Sequence, residues 1–192
     1  METFIKKSLI SIALASSLLL TTGTGIAGTE GETYVGVQYA ASSYNEDGIS
    51  KEFNPSLGIA RFGRFLAPNI SIEGRVGFGP RDDTQFLAEL GSGYDATLDL
   101  NRLFGVYATG HINLTESASI YGVAGASKVK GTTSVPAFSG LESTENNSSI
   151  SYGIGADIGI GSNVALNVEY MRYLDKSSFD LDAIAVGALF SF

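Results

Sequence analysis

Much of this chain follows a period-two alternation, in which every second residue is apolar and the residues between are polar or small. Successive side chains of a β-strand point to opposite faces, so the pattern predicts strands with one apolar face each. In the third such segment, Ile70 and Val76 share one face, whereas Glu73 and Arg75 share the other. Turn-forming residues bound eight such segments, at 33–42, 54–65, 70–79, 95–113, 118–129, 149–160, 164–174 and 181–192.

The connections between these segments alternate in length, with short ones at 67–69, 115–117 and 162–163, and long polar ones at 43–53, 80–94 and 130–148, followed by a shorter one at 175–180. Transmembrane barrels have short turns at one end and long loops at the other. The second face of each strand is rich in Gly, Ser and Ala, which fit the narrow interior of an eight-stranded barrel. A soluble β-sandwich would alternate in the same way, but these two features favour an all-β chain folded as an eight-stranded antiparallel up-and-down transmembrane β-barrel.

The amino terminus has the pattern of a secretory signal peptide at residues 1–27. Lys6 and Lys7 precede an apolar stretch at 9–20, and small residues follow up to Ala27. An uncleaved anchor helix is the alternative, but the stretch is shorter than the ~20 residues that a membrane-spanning helix needs. We therefore predict cleavage after Ala27.

Residues 28–192 then form one outer-membrane β-barrel domain, and after the leader no apolar run approaches the length of a membrane helix. The formal net charge of −8 excludes a nucleic-acid partner. The chain has no Cys, and His111 is its only histidine, so we predict no metal site, cofactor or catalytic site. Acidic residues in the long connections could hold divalent cations, but solvated loop charge is the simpler interpretation.

If the apolar face meets lipid, several charged side chains must face the lumen, where a charge needs a partner. This candidate lumen charge network comprises Arg61, Glu73, Arg75, Asp99, Asp157 and Glu169. Two interpretations remain open: a structural network that plugs the barrel, and a gate whose re-pairing opens a narrow ion path.

An even number of strands and export through the amino terminus place both termini in the periplasm. Aromatic residues then form two predicted interfacial girdles. The periplasmic girdle comprises Phe62, Phe65, Phe104, Phe190 and Phe192, and the outer girdle comprises Tyr39, Phe78, Tyr170 and Tyr173.

Four stretches carry a family resemblance: YVGVQYA near the start of the barrel, RFLAPNISIEGRVGFG, VEYMRYLD, and the terminal VGALFSF. In their order and spacing the chain resembles the small OmpA-like outer-membrane β-barrels of Gram-negative bacteria, a group also described as opacity or porin-family proteins. The last stretch, with Phe190 and Phe192, is similar to the signal that the barrel-insertion machinery reads. One departure is Met171, which places Arg172 on the opposite face from Glu169, so the family's inward arginine is not carried over.

We therefore predict a non-enzymatic barrel of the cell outer membrane with a structural or surface-interaction role. A narrow porin-like channel is the alternative, and a lipid-active enzyme is a remote one. The predicted partners are outer-membrane lipids, the barrel-assembly machinery during insertion, and extracellular molecules that contact the loops. The barrel is expected to be a monomer.

Overall fold

The structure is a computed structural model that describes residues 28–46, 53–81, 83–87, 94–134, 142–177 and 179–192. The predicted signal peptide lies outside the described residues. The described part contains nine strands: β1 (Thr33–Glu46), β2 (Ser56–Ala67), β3 (Ile70–Arg81), β4 (Asp83–Leu87), β5 (Tyr94–Asn113), β6 (Ala118–Ser134), β7 (Glu142–Gly159), β8 (Val164–Lys176) and β9 (Phe179–Ser191).

These nine strands fill eight positions of one closed antiparallel ring. The sheet order is β3-β2-β1-β9-β8-β7-β6-β5-β4, and β3 also pairs with β5. Both β3 and β4 pair with β5, along consecutive parts of its length, so together they occupy a single position. The predicted eight-stranded antiparallel barrel is thus confirmed.

The two ends of the barrel differ. At one end, here called the turn end, short connections at 68–69, 114–117 and 160–163 join consecutive strands. At the other, the hairpin end, some strands extend past their neighbours. β7 pairs with β6 along its whole length, back to Glu142, but with β8 only from Tyr152 onward.

The long connections are therefore shorter than the predicted ranges of 43–53, 80–94 and 130–148. Strand structure continues through 43–46, 83–87, 130–134 and 142–148, while 47–52, 88–93 and 135–141 lie outside the described residues. The extended hairpin of β6 and β7 is polar on both faces, with the Thr132 and Thr144 hydroxyls 3.0 Å apart. Such a strand has no hydrophobic periodicity, although its backbone pairs with a neighbouring strand.

Burial in the barrel is inverted relative to a soluble protein. Val106 and Ile150, for example, are 71% and 74% exposed on the outer surface. Charged and hydroxyl side chains are instead buried in the lumen, Arg75 and Ser151 among them. An outer wall of exposed β-branched and aromatic residues is the surface that a hydrocarbon solvent requires.

Two predicted aromatic positions are wrong because those residues share the parity of the lumen-facing charges. Phe65 packs in the lumen 5.7 Å from the Tyr34 ring centre, and Tyr173 is fully buried. Phe104 does face outward, but it lies in the middle of β5 rather than near the turn end.

Candidate functional site

Four charged residues project into the lumen from opposite sides of the ring. Arg61 lies on β2 and is the direct cross-strand neighbour of Arg75 on β3. Glu73 precedes Arg75 by two residues and shares its face, as the strand period requires. Glu169 comes from β8, which the sheet order places on the opposite wall from β3. Two arginines and two glutamates thus meet at one height.

These four side chains alternate in charge and contact one another directly. Arg61 Nη2 lies 2.7 Å from Glu73 Oε2, and the Nε of Arg75 donates to Glu73 Oε1. Arg75 also donates twice to Glu169, through Nη1 at 2.5 Å and Nη2 at 2.8 Å. Arg61 Nη1 is 3.9 Å from Glu169 Oε2. We call this quartet of Arg61, Glu73, Arg75 and Glu169 the lumen ring.

A layer of aromatic and amide groups completes the hydrogen bonding of the lumen ring. Tyr34 donates to Glu73 at 2.8 Å and Tyr121 donates to Glu169 at 2.7 Å. Arg61 donates to Asn167 Oδ1 at 3.1 Å, and the Arg75 guanidinium stacks 4.7 Å from the Tyr107 ring centre. Charges removed from water are stable only when paired and hydrogen-bonded in this way.

Glycines make space for the tyrosines of this layer. A Cβ at Gly155 would lie 2.4 Å from the Tyr121 ring, and a Cβ at Gly63 would lie 2.1 Å from the Tyr34 ring. Both distances are far below van der Waals contact. The small residues of the lumen face therefore have a specific function: they accommodate rings that reach the glutamates.

Asp157 joins this assembly indirectly. It accepts a 2.6 Å hydrogen bond from Asn167, which in turn contacts Arg61. Its nearest basic group is His111, whose Nδ1 lies 4.0 Å from Asp157 Oδ2. Among the described residues, five buried polar atoms have no hydrogen-bond partner: Gln38 Oε1, His111 Nδ1, Ser119 Oγ, Asp157 Oδ2 and Ser191 Oγ. Such groups are normally satisfied by water.

Asp99 does not belong to the network, contrary to expectation. A register irregularity between Leu100 and Arg102 reverses the alternation of β5, so that Leu98 and Leu100 face inward above it. Asp99 is half-buried there and accepts a hydrogen bond from Asn101 at 2.8 Å.

Arg172 likewise lies outside the lumen ring. It forms a bidentate pair with Asp182, at 2.8 and 2.9 Å, in a partly exposed position. The structure therefore brings together four of the six predicted lumen charges directly, and Asp157 through Asn167.

Sequence reasoning missed the uncharged members of the assembly, among them Tyr34, Tyr107, Tyr121 and Asn167. Tyr107 and Asn167 have the parity of His111 and Glu169 on their own strands. Tyr34 and Tyr121 have the parity opposite to the apolar outward residues of β1 and β6, so alternation alone could have identified all four. They were overlooked because aromatic residues in a barrel are usually assigned to the lipid interface.

The arrangement around His111 does not resemble an accessible catalytic centre. Thr109 Oγ1 lies 3.0 Å from His111 Nε2, but Thr109 is only 1% exposed and faces the lumen rather than lipid. Within the described ranges, no group of three or more His, Asp or Glu side chains is close enough to hold a metal ion. The same part of the chain contains no helix of a length and apolarity suited to crossing a membrane.

A family model described as outer membrane protein beta-barrel domain matches residues 12–192. No curated protein matches the chain in sequence. Among solved structures, Ail, the attachment invasion locus protein of Yersinia pestis, has a TM-score of 0.61 at 21% identity, covering 85% of this chain and all of Ail. Ail was also solved with the heparin analogue sucrose octasulfate.

Two further barrels have the same fold. Neisserial surface protein A has a TM-score of 0.59 at 17% identity, covering 85% of this chain and 100% of its own. The amino-terminal barrel of Pseudomonas aeruginosa OprF has a TM-score of 0.57 at 12% identity, covering 86% and 100%.

Proposed function

Because this chain belongs to the family of outer membrane protein β-barrel domains, we propose that it is a non-conducting, non-enzymatic structural barrel that presents its hairpin end to the outside of the cell. It lies in the outer membrane. The proposal concerns what the barrel does there.

One observation carries the proposal: the lumen ring links opposite walls of the barrel through buried ion pairs. Arg75 on β3 is bound at the same time to Glu73 on its own strand and to Glu169 across the lumen. Removing one partner from a buried pair typically costs about 3–5 kcal/mol, because the other charge is left uncompensated.

Single-channel recording in planar bilayers tests this proposal. The purified wild-type barrel is expected to give no discrete conductance steps, because its lumen is occupied at the height of the ring. Glu73→Gln and Arg75→Gln break the ring, and Asp99→Asn is the matched control, since Asp99 lies outside it. Regular conductance steps in the wild type would contradict a non-conducting role.

A gated narrow channel is the second candidate, and a specific observation favours it. His111 Nδ1 and Asp157 Oδ2 are buried polar atoms without a hydrogen-bond partner among the described residues, and both residues lie near the turn-end limits of their strands. If an exchange of ion-pair partners within the lumen ring opens a path toward the turn end, the wild-type barrel conducts ions. Glu73→Gln and Arg75→Gln are then expected to change that conductance. An unchanged conductance in both variants would exclude the gate.

The orientation can be tested independently because the chain has no native Cys. Glu145 is exposed on the long hairpin and Glu116 is exposed in a short turn. We expect Glu145→Cys to react with a membrane-impermeant maleimide on intact cells, and Glu116→Cys to react only after the outer membrane is broken. The reverse result would contradict the proposed orientation.

We propose that any surface partner is cationic. In each of the segments 43–55, 80–101, 131–148 and 175–183, Asp and Glu outnumber Lys and Arg. Ail was solved with a polysulfated sugar, but these acidic segments would repel such a ligand. Binding of sucrose octasulfate and of an oligolysine is compared at low and physiological salt in a variant in which Arg102, Lys128 and Lys130 are replaced by Gln, because these exposed cations near the hairpin end would themselves attract a sulfated sugar. Tighter binding of the sulfated sugar in this variant would contradict the proposal.

We also propose that residues 1–27 are removed on export and that the barrel works as a monomer, since a closed ring has no continuous free sheet edge. Amino-terminal sequencing of the membrane-inserted protein should begin at Gly28. A covalent cross-linking ladder in native membranes would contradict the monomer.

A further inference from the structure

A basic cluster lies on the lipid-facing wall of the barrel, close to the hairpin end. Arg102 on β5 and Lys130 on β6 are direct cross-strand neighbours, and Lys128 pairs with Phe104 one row below. All three basic side chains are exposed on the outer surface. Within the part of the chain that the structure describes, none of the three forms an ion pair, although the chain carries a net charge of −8.

The cluster lies where the apolar band of the wall ends. On β6 the outward residues are apolar or small from Ile120 to Ala126, and basic at Lys128 and Lys130. Between Ile120 and Lys128 the strand is about 27 Å long at ~3.4 Å per residue, or roughly 20 Å tall at a tilt of ~40°. This height matches an apolar band of about 25 Å, so the cluster is at the level of the lipid headgroups.

An apolar groove adjoins the cluster and crosses the outer wall from β6 toward β2. It has a volume of about 660 Å³, and its walls include Phe62, Val76, Phe104 and Val106. Its floor is recessed at Gly74, where a Cβ would meet nothing within 4 Å. The groove and the small pocket among the basic side chains share Phe104 and Lys128, so the two lie next to each other.

We propose that this surface binds a phosphorylated, multiply acylated glycolipid of the outer leaflet, with phosphate on the basic cluster and one acyl chain in the groove. Charge complementarity supports this occupant: the three cations have no ion-pair partner among the described residues and an anionic headgroup would complement them, while the adjoining apolar groove accepts a hydrocarbon chain. Serine and asparagine on β7, at Ser148 and Asn146, lie beside the cluster and can donate to phosphate or sugar oxygens. The proposal rests on the hairpin end facing outward.

Native mass spectrometry of the detergent-solubilised barrel tests the binding without depending on that orientation. The probes are diphosphoryl lipid A, its dephosphorylated form, phosphatidylglycerol and inorganic phosphate. We expect the wild type to bind one lipid A, with at least tenfold preference over the other three. Equal binding of phosphatidylglycerol would overturn the assignment to an outer-leaflet glycolipid in favour of any anionic lipid.

Two variants separate the headgroup from the acyl chain. Neutralising Arg102, Lys128 and Lys130 together to Gln should weaken lipid A binding about 100-fold, because each basic side chain near an anionic headgroup contributes roughly fivefold. Gly74→Leu fills the groove and should weaken binding about tenfold. Arg64→Gln, an exposed arginine near the turn end, is the control and should bind like the wild type. Wild-type affinity in both test variants, with normal heat-modifiable migration, would overturn the proposal.

Discussion

Arg75 of β3 and Glu169 of β8 are joined by two parallel hydrogen bonds, of 2.5 and 2.8 Å, across the full width of the barrel. Four strand steps separate β3 and β8 in either direction round the ring, so the two side chains come from diametrically opposite walls. The two side chains thus connect these walls without an intervening residue. The bidentate geometry also restricts how far the two walls can move relative to each other.

Removal of the arginine from this pair should destabilise the barrel strongly. Arg75→Gln leaves two buried glutamates without their shared cation, and we expect it to lower the free energy of unfolding by about 3–5 kcal/mol. Urea titration of the refolded protein in detergent, followed by the heat-modifiable gel shift, measures this change.

The matched control is Arg172→Gln. Arg172 also holds a bidentate carboxylate, Asp182, but its side chain is 28% exposed. Its removal should cost less than about 1 kcal/mol, because water replaces the lost partner. If the two variants lost equal amounts of unfolding free energy, burial would not make the ion pairs of the lumen ring more stabilising than the partly exposed pair.

Gly155→Val should displace the Tyr121 ring, because the new side chain would occupy the position of that ring. Displacement removes the hydroxyl that donates to Glu169, and overpacking of this kind costs about 1–3 kcal/mol. Gly122→Ala is the control: its Cβ would point into open space on the outer wall. We expect it to be neutral or to stabilise by up to about 1 kcal/mol. Intrinsic tyrosine fluorescence during urea unfolding reports both variants.

Lysine on the outer wall should be tolerated only near the ends of the strands. Val106→Lys places a charge in the apolar band and should cost about 2–4 kcal/mol when the barrel is folded into lipid vesicles. Thr144→Lys, on the exposed hairpin beyond that band, should change the unfolding free energy by less than about 0.5 kcal/mol. If Val106→Lys had no effect in vesicles, the outer wall would not face hydrocarbon.

Phe190 and Phe192 are exposed side by side on the outer wall at the turn end, with ring centres 6.2 Å apart. If they form the insertion signal, Phe192→Ala should reduce the amount of folded barrel in cells severalfold while leaving spontaneous refolding in detergent unchanged. Pulse-chase assembly in cells and refolding of the purified protein give the two measurements. A defect of equal size in detergent would indicate a packing role instead.

The alternation of side chains was sufficient to predict which residues face outward and which face the lumen. Because the strand period is two, residues such as Ile70 and Val76 had to face one side and Glu73 and Arg75 the other, whatever the partner strands were. Alternation alone could not locate the irregularity between Leu100 and Arg102, which depends on how β5 pairs with β6. Alternation therefore predicts Asp99 in the lumen network, whereas in the folded barrel its side chain lies outside that network.

The polar hairpin extensions show a second limit. Residues such as Thr132 and Thr144 form a paired strand without an apolar face, so hydrophobic periodicity predicts a loop there. Their strand conformation is stabilised by the neighbouring backbone rather than by the side chains, and that neighbour is specified only when the chain is folded.

The class of fold, the number of strand positions and the set of charges that cannot face lipid could all be predicted before the strands were paired. These follow from local periodicity and from the cost of an unpaired charge in hydrocarbon. The folded barrel was needed to show that Arg75 meets Glu169 and that Asp157 contacts the lumen ring through Asn167. It also showed that three cations gather on the outer wall near the hairpin end. These contacts join strands distant in sequence, and closure of the ring is what brings them together.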